Sequence, residues 1–190
     1  MRKSLLFALV LAVPAIGATN LVVNGTFDTS VPNNGTGGGW TAANNDGAGG
    51  WRSTGGNPGG NFILNAAGQT FLNPFIEQTI ALVVGEQYRV SGEVAEGNIA
   101  ATNNMDFAVE IDGNLWLHNI PILQTDWQSW THTFIATSSS ATLRLSGEWT
   151  ADSDPRIDNI TLVSEPVPEP ATLSVLGLGL AMALRRRKGR

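Results

Sequence analysis

The sequence predicts an all-β fold, an antiparallel β-sandwich of about eight or nine strands, on three observations. Apolar and polar residues alternate with period two over several separate runs, the pattern of strands with one face buried and the other in water. Gly, Asn and Asp clusters punctuate these runs, as turns between short strands require. No window carries an amphipathic helical pattern, and there is no internal repeat.

Residues 1–18 precede the sandwich and read differently. Arg2 and Lys3 are followed by an unbroken apolar run from Leu5 to Val13, then Pro14 and the small residues Ala15, Gly17 and Ala18. That order is a secretory signal peptide. It implies signal peptidase as a partner, with cleavage after Ala18, or after Gly17 as the alternative.

The body, residues 19–165, is long enough for one domain with a proper core. Asn20 to Asp28 predicts a short β-rich run turning at Asn24-Gly25. Thr29 to Gly60 is rich in Gly and Asn, with Trp40 and Trp51 as its large apolar residues. Long loops pinned by the two indoles are expected there. Strand character resumes at Phe62 to Asn65 and at Phe75 to Val83. Tyr88, Val90 and Val94 then face one way, with Arg89, Ser91 and Glu93 facing the other. Phe107, Val109 and Ile111 repeat the pattern against Asp106, Glu110 and Asp112, and Asp112-Gly113-Asn114 signals a hairpin into Leu115 to Leu117. Ser129 to Ala136, Thr142 to Ser146 and Arg156 to Val163 complete the strands. Ile157 and Ile160 cannot both face inward by strict alternation, so a bulge is expected near Asp158-Asn159.

Charge excludes one class of partner. The body carries four arginines, no lysine and fifteen carboxylates, which leaves it at −11. Phosphate backbones repel such a surface, so nucleic acid is not a partner. With no cysteine in the chain, the fold holds by packing, with a divalent cation as the one further support.

Catalytic patterns are missing. His118 and His132 have no metal-ligand neighbour at i+4, no Gly-x-Ser-x-Gly elbow occurs, and His132 alternates with Trp130 and Phe134 as half-buried packing. The carboxylate pairs Glu110/Asp112 and Asp152/Asp154 read as a strand's solvent face and a turn. A glycosidase or lyase is the least favoured reading, and the chain is read as not an enzyme. Six tryptophans against one tyrosine are more telling, because an indole face stacks on the apolar face of a sugar ring. Trp51 and Trp116, beside Gly/Asn loops, are the candidate sugar-facing pair. Trp127 and Trp130 cannot share a face, and Trp127 is assigned inward.

Residues 166–190 close the chain in three parts. Val167, Pro168, Glu169 and Pro170 form an extended tetrapeptide. Ala171 to Leu184 is uncharged and apolar or small, and Arg185, Arg186, Arg187 and Lys188 follow at once. An apolar run ending in cations is a membrane-stop device. As helix, its 14 residues span roughly 21 Å, short of a ~30 Å hydrocarbon core. Val167 to Leu173, Leu176 to Leu180 and the arginines together resemble the PEP-CTERM sorting signal of bacterial exported proteins. The resemblance implies processing by an exosortase-type protease near Pro-Glu-Pro. It also implies a transient anchor through a short membrane helix, then release to the cell surface or extracellular matrix.

A second resemblance lies in the body. Asn20 to Asp28 with Gly39-Trp40, Asp126 to Trp130 running into Thr133-Phe134, and Arg156 to Val163 are similar to carbohydrate-binding jelly rolls of the galactose-binding-like type. Asp28 stands where such domains more often carry Glu. The resemblance implies a non-catalytic module for extracellular polysaccharide, and the −11 charge favours a neutral or cationic one. It also implies a structural calcium ion held by Asp28 and Asp158 with backbone oxygens, the Thr26 carbonyl among them. A structural surface or matrix protein with no ligand of its own is the alternative.

Overall fold

The structure is a computed structural model and describes residues 19–65, 72–97, 107–117, 126–147 and 154–165. The signal peptide, the sorting signal with its apolar helix and cations, His118, Trp149 and Asp152 lie outside the described residues.

Eleven strands and no helix occur among the described residues: β1 (Gly35–Gly37), β2 (Trp40–Ala43), β3 (Gly50–Gly56), β4 (Gly59–Ile63), β5 (Phe75–Ala81), β6 (Gln87–Glu96), β7 (Phe107–Ile111), β8 (Asn114–Leu117), β9 (Gln128–Ile135), β10 (Ser140–Gly147) and β11 (Pro155–Glu165). They form two antiparallel sheets. One has six strands in the order β1-β2-β5-β10-β7-β8, the other five in the order β3-β4-β11-β6-β9. Alternation dictates what lies between them. Val90, Val94, Phe107, Val109, Leu143, Leu145, Ile157 and Leu162 are buried between the sheets, while Arg89, Ser91, Glu110, Arg144 and Arg156 alternate with them on the more exposed side. The sandwich expected from period two is the sandwich found.

Two expectations about the N-terminal part are corrected. Asn20 to Asp28 is not a strand. Asn24 and Phe27 take left-handed φ of 53° and 51°, and the segment lies along β11 through two separate bonds. The Leu21 amide donates to the Leu162 carbonyl (2.8 Å), and the Ile160 amide to the Gly25 carbonyl (2.9 Å). A Cβ on Gly25 would sit 2.0 Å from the Ile160 oxygen, so only glycine permits that approach. The Thr29–Gly60 stretch is also not all loop, since it contains β1, β2 and β3. Left-handed φ at Gly38, Gly39 and Asn44 turns the chain tightly enough to pair strands that lack β-branched runs. The pinning by indoles holds. Trp40 Nε1 donates to the Asn24 carbonyl (3.2 Å) and Trp51 Nε1 to the Phe27 carbonyl (2.7 Å).

The tryptophan pair near β9 is reversed from expectation. Trp130 is buried and packs on Phe107 with ring centroids 6.0 Å apart. Trp127 precedes the strand, is half-buried, and lies under the Arg156 guanidinium at 5.3 Å. β9 begins at Gln128, so its alternation starts after Trp127, and Trp130 falls on the inward phase. The bulge expected near Asp158 is present. The β11–β6 register shifts between Asp158 and Thr161, Asn159 takes φ 53°, and Ile157 and Ile160 both face the core.

Candidate functional site

The outer faces of the two sheets differ in chemistry. On β6, β9 and β11 the five-stranded sheet presents Arg89, Ser91, Glu93, Thr131, Thr133 and Thr161, none of them aromatic. On the six-stranded sheet, register builds two adjacent transverse rows. Thr41, Glu77, Arg144, Glu110 and Leu115 stand side by side on β2, β5, β10, β7 and β8. Next to them run Ala43, Phe75, Ser146 and Ala108. At the Phe75–Ser146 position of these rows lies a hollow of about 370 Å³, walled also by Asn44, Leu72, Asn73, Glu110 and Arg144.

The walls of this hollow are held in place. Arg144 gives Nε and Nη2 to the same Glu77 oxygen at 2.9 and 2.6 Å, and lays its guanidinium 4.0 Å over the Phe75 ring. Asn44, at left-handed φ, ties the end of β2 to the carbonyl of Asn73 (3.0 Å). Glu110, across the register from Arg144, is half-buried and takes no hydrogen bond or ion pair among the described residues. An aromatic surface, fixed donors on Arg144 and a free acceptor on Glu110 are what a sugar needs: stacking for its C–H face and partners of both kinds for its hydroxyls.

Sequence reasoning missed this hollow, although one signal was present. Along Phe75-Ile76-Glu77-Gln78-Thr79-Ile80 the phenylalanine falls on the polar phase, with Glu77 and Thr79. An aromatic residue on the solvent side of a strand is the mark of a binding face.

Trp51 and Trp116 are not brought together. Trp51, on β3 of the five-stranded sheet, packs against the core rim with its N–H bonded to Phe27. Trp116, on β8 of the other sheet, is 43% exposed and stacks on His132 with ring centroids 4.2 Å apart. It borders a groove of about 600 Å³ between the edge strands β8 and β9.

Asp28 and Asp158 meet around the turn from β3 to β4. Asp158 is fully buried, and its oxygens accept the backbone N–H groups of Asn57 (2.6 Å) and Asn159 (2.7 Å). Burial raises its pKa above the usual carboxylate value of 3.8. The two N–H bonds oppose that rise, and the charges of Glu93 and Asp28 add to it. A Cβ on Gly56 would lie 2.6 Å from Asp158 Oδ2 and one on Gly59 would lie 3.4 Å from Asp28 Oδ1, so the glycine turn passes against both carboxylates. The Thr26 hydroxyl donates to Asp28 Oδ2 (2.7 Å) and orients it. None of Asp28, Glu93 and Asp158 pairs with an arginine among the described residues. Hard oxygen donors and uncompensated negative charge fit calcium. No three His, Cys, Asp or Glu side chains converge as a metal cluster among the described residues, so further ligands would be backbone oxygens.

Among curated proteins none matches the chain. Solved structures do match it in fold. A candidate sugar-binding protein from Bacteroides thetaiotaomicron VPI-5482 superposes with TM-score 0.56 at 16% identity, over 77% of this chain and 100% of that one. The module TmCBM61, solved in complex with β-1,4-galactotriose, gives 0.52 at 18% identity, over 78% and 100%. A CBM4 module gives 0.51 at 21% identity, over 76% and 99%. Residues 166–188 match the PEP-CTERM protein-sorting motif. Residues 19–154 match the carbohydrate binding domain family, and the chain belongs to that family.

Proposed function

We propose that this is an exported, surface- or matrix-associated protein whose sandwich binds neutral polysaccharide without cleaving it. The glycan lies on the outer face of the six-stranded sheet, against Phe75, Arg144 and Glu110. The observation that carries this reading is the hollow where one exposed-face phenylalanine stands beside Ser146, an anchored arginine and an unengaged carboxylate. The Glu110/Asp112 pair does not converge for acid–base work. Glu110 points out from β7, whereas Asp112 sits in the hairpin at φ 51° with its Oδ1 on the Thr142 amide.

Signal peptidase and an exosortase-type protease are the processing partners, and the C-terminal apolar segment anchors the chain before release. Calcium at Asp28 and Asp158, with the Thr26 carbonyl in support, neutralises carboxylates packed against the β3–β4 turn and thereby stabilises the fold.

The test is a neutral-glycan screen on folded protein with calcium present. β-1,4-galactan is a first probe because TmCBM61, similar in fold, was solved with β-1,4-galactotriose. Weak, saturable binding is expected on the outer face of the six-stranded sheet, lost at that face in Phe75→Ala. No binding to any neutral glycan would overturn the reading in favour of a structural surface protein.

A further inference from the structure

The groove at the β8–β9 side of the sandwich shares no lining residue with the hollow at Phe75. The two also lie on different surfaces. β10 lends Ala141 to the groove and Ser146 to the hollow, five residues apart or roughly 17 Å along a strand. The groove's floor is apolar, with Ile111 and Phe134 beside the Trp116 indole. The His132 stack fixes that indole, so the aromatic surface is set before any ligand arrives.

The polar rim is partly engaged within the fold. Gln87 Nε2 donates to Glu165 (3.3 Å) and Asn114 Nδ2 to the Ile111 carbonyl (3.3 Å), while Asp112 Oδ1 accepts the Thr142 amide (2.8 Å). What these three side chains leave for a ligand is the acceptors Gln87 Oε1, Asn114 Oδ1 and Asp112 Oδ2, with one further N–H on each of the two amides. A rim with acceptors and amide donors around a flat aromatic ring suits a pyranose, whose hydroxyls both donate and accept, whose ammonium groups donate, and whose C–H face stacks. The Asp112 charge turns away carboxylated sugars. At about 600 Å³ the groove falls in the size range of small-ligand sites, roughly 300–1,000 Å³.

We propose that this groove is a second carbohydrate site, taking a neutral or amino-sugar pyranose on Trp116, and that the two sites let one domain bridge separate polysaccharide strands. The inference rests on the proposed glycan-binding function and extends it from binding to cross-linking. Two weak sites on one rigid body raise the effective concentration of the second strand without any new contact.

The experiment uses the purified chain with β-1,4-galacto-, gluco- and xylo-oligosaccharides, chitosan oligosaccharides and oligogalacturonate. Titration gives stoichiometry, chemical shifts of the Trp116 indole and Asn114 amide report the groove, and light scattering with the parent polysaccharides reports bridging. Two sites per chain are expected, with both groove signals shifting for neutral or amino sugars and staying still for oligogalacturonate. Trp116→Ala should reduce stoichiometry from two to one and abolish bridging, while leaving affinity at the Phe75 hollow within about twofold. Phe75→Ala should do the converse. The shift measurement needs no variant, so misfolding of Trp116→Ala would not leave the claim undecided. Single-site binding removed by Phe75→Ala, with unmoved groove signals, overturns the second site and leaves the first intact. Binding confined to the groove overturns the bridging claim and the Phe75 reading together.

Discussion

The guanidinium of Arg144 lies 4.0 Å over the Phe75 ring while Glu77 holds two of its nitrogens. The residues come from β5 and β10, nearly seventy positions apart, and meet only through the register of the six-stranded sheet. Phe75→Ala is expected to weaken glycan binding at this face at least tenfold and to change stability little, since the ring is only partly buried. Arg144→Ala should also weaken binding. Its cost in stability should stay within about 1 kcal/mol, because the pair with Glu77 is partly exposed and screened by solvent. Affinity measured beside thermal melting separates the two effects, and a large loss of stability in either variant would assign the pair to structure instead.

Trp130 and Trp127 differ by three positions and by most of a core contribution. Trp130→Ala removes a buried indole packed on Phe107 and should cost about 3–5 kcal/mol. Trp127→Ala loses a contact with Arg156 worth about 0.5–1 kcal/mol at a partly exposed site. Denaturant unfolding of both variants checks the order, and a larger loss at Trp127 would contradict the placement of β9.

Asp158 links calcium to pH. Its pKa is raised in the folded protein, chiefly by burial, so the native state holds this proton more tightly than the unfolded chain does. The group's contribution to stability is therefore full below its ordinary value of 3.8 and is lost as pH rises through the folded value. In metal-free protein, wild type should lose stability relative to Asp158→Asn as pH rises from 3.8 into that range. Calcium about 100-fold above its dissociation constant should restore roughly 2.7 kcal/mol to wild type. Reversible melts with calcium and with EDTA are the check. Identical curves would remove the calcium site.

Replacing Pro168, Glu169 and Pro170 with alanine should leave an unprocessed form in the inner membrane, since the matched sorting motif spans these residues. Mass spectrometry after cell fractionation reads the outcome. Maturation to the wild-type mass and location would show that the motif is not used.

Much of this protein is determined locally. Which side of β6, β7, β10 and β11 faces inward follows from a period of two that needs no partner strand. The bulge at Asp158-Asn159 follows from Ile157 and Ile160 both requiring burial. The C-terminal sorting motif is legible from composition and order alone, and residues 166–188 match it.

Other features depend on pairing. β1 and β3 are Gly-rich, and β2 has only Trp40 and Thr41 as strand formers, so left-handed Gly and Asn turns with sheet neighbours make them strands. Trp130 rather than Trp127 goes inside because β9 starts one residue after Trp127. The candidate site is the extreme case. Ala43, Phe75, Ser146 and Ala108 have no relation in sequence and become one row only through the registers of β2, β5, β10 and β7. A one-residue slip in any of those ladders would turn that strand's member of the row to the other face, so tertiary structure alone decided where the hollow lies.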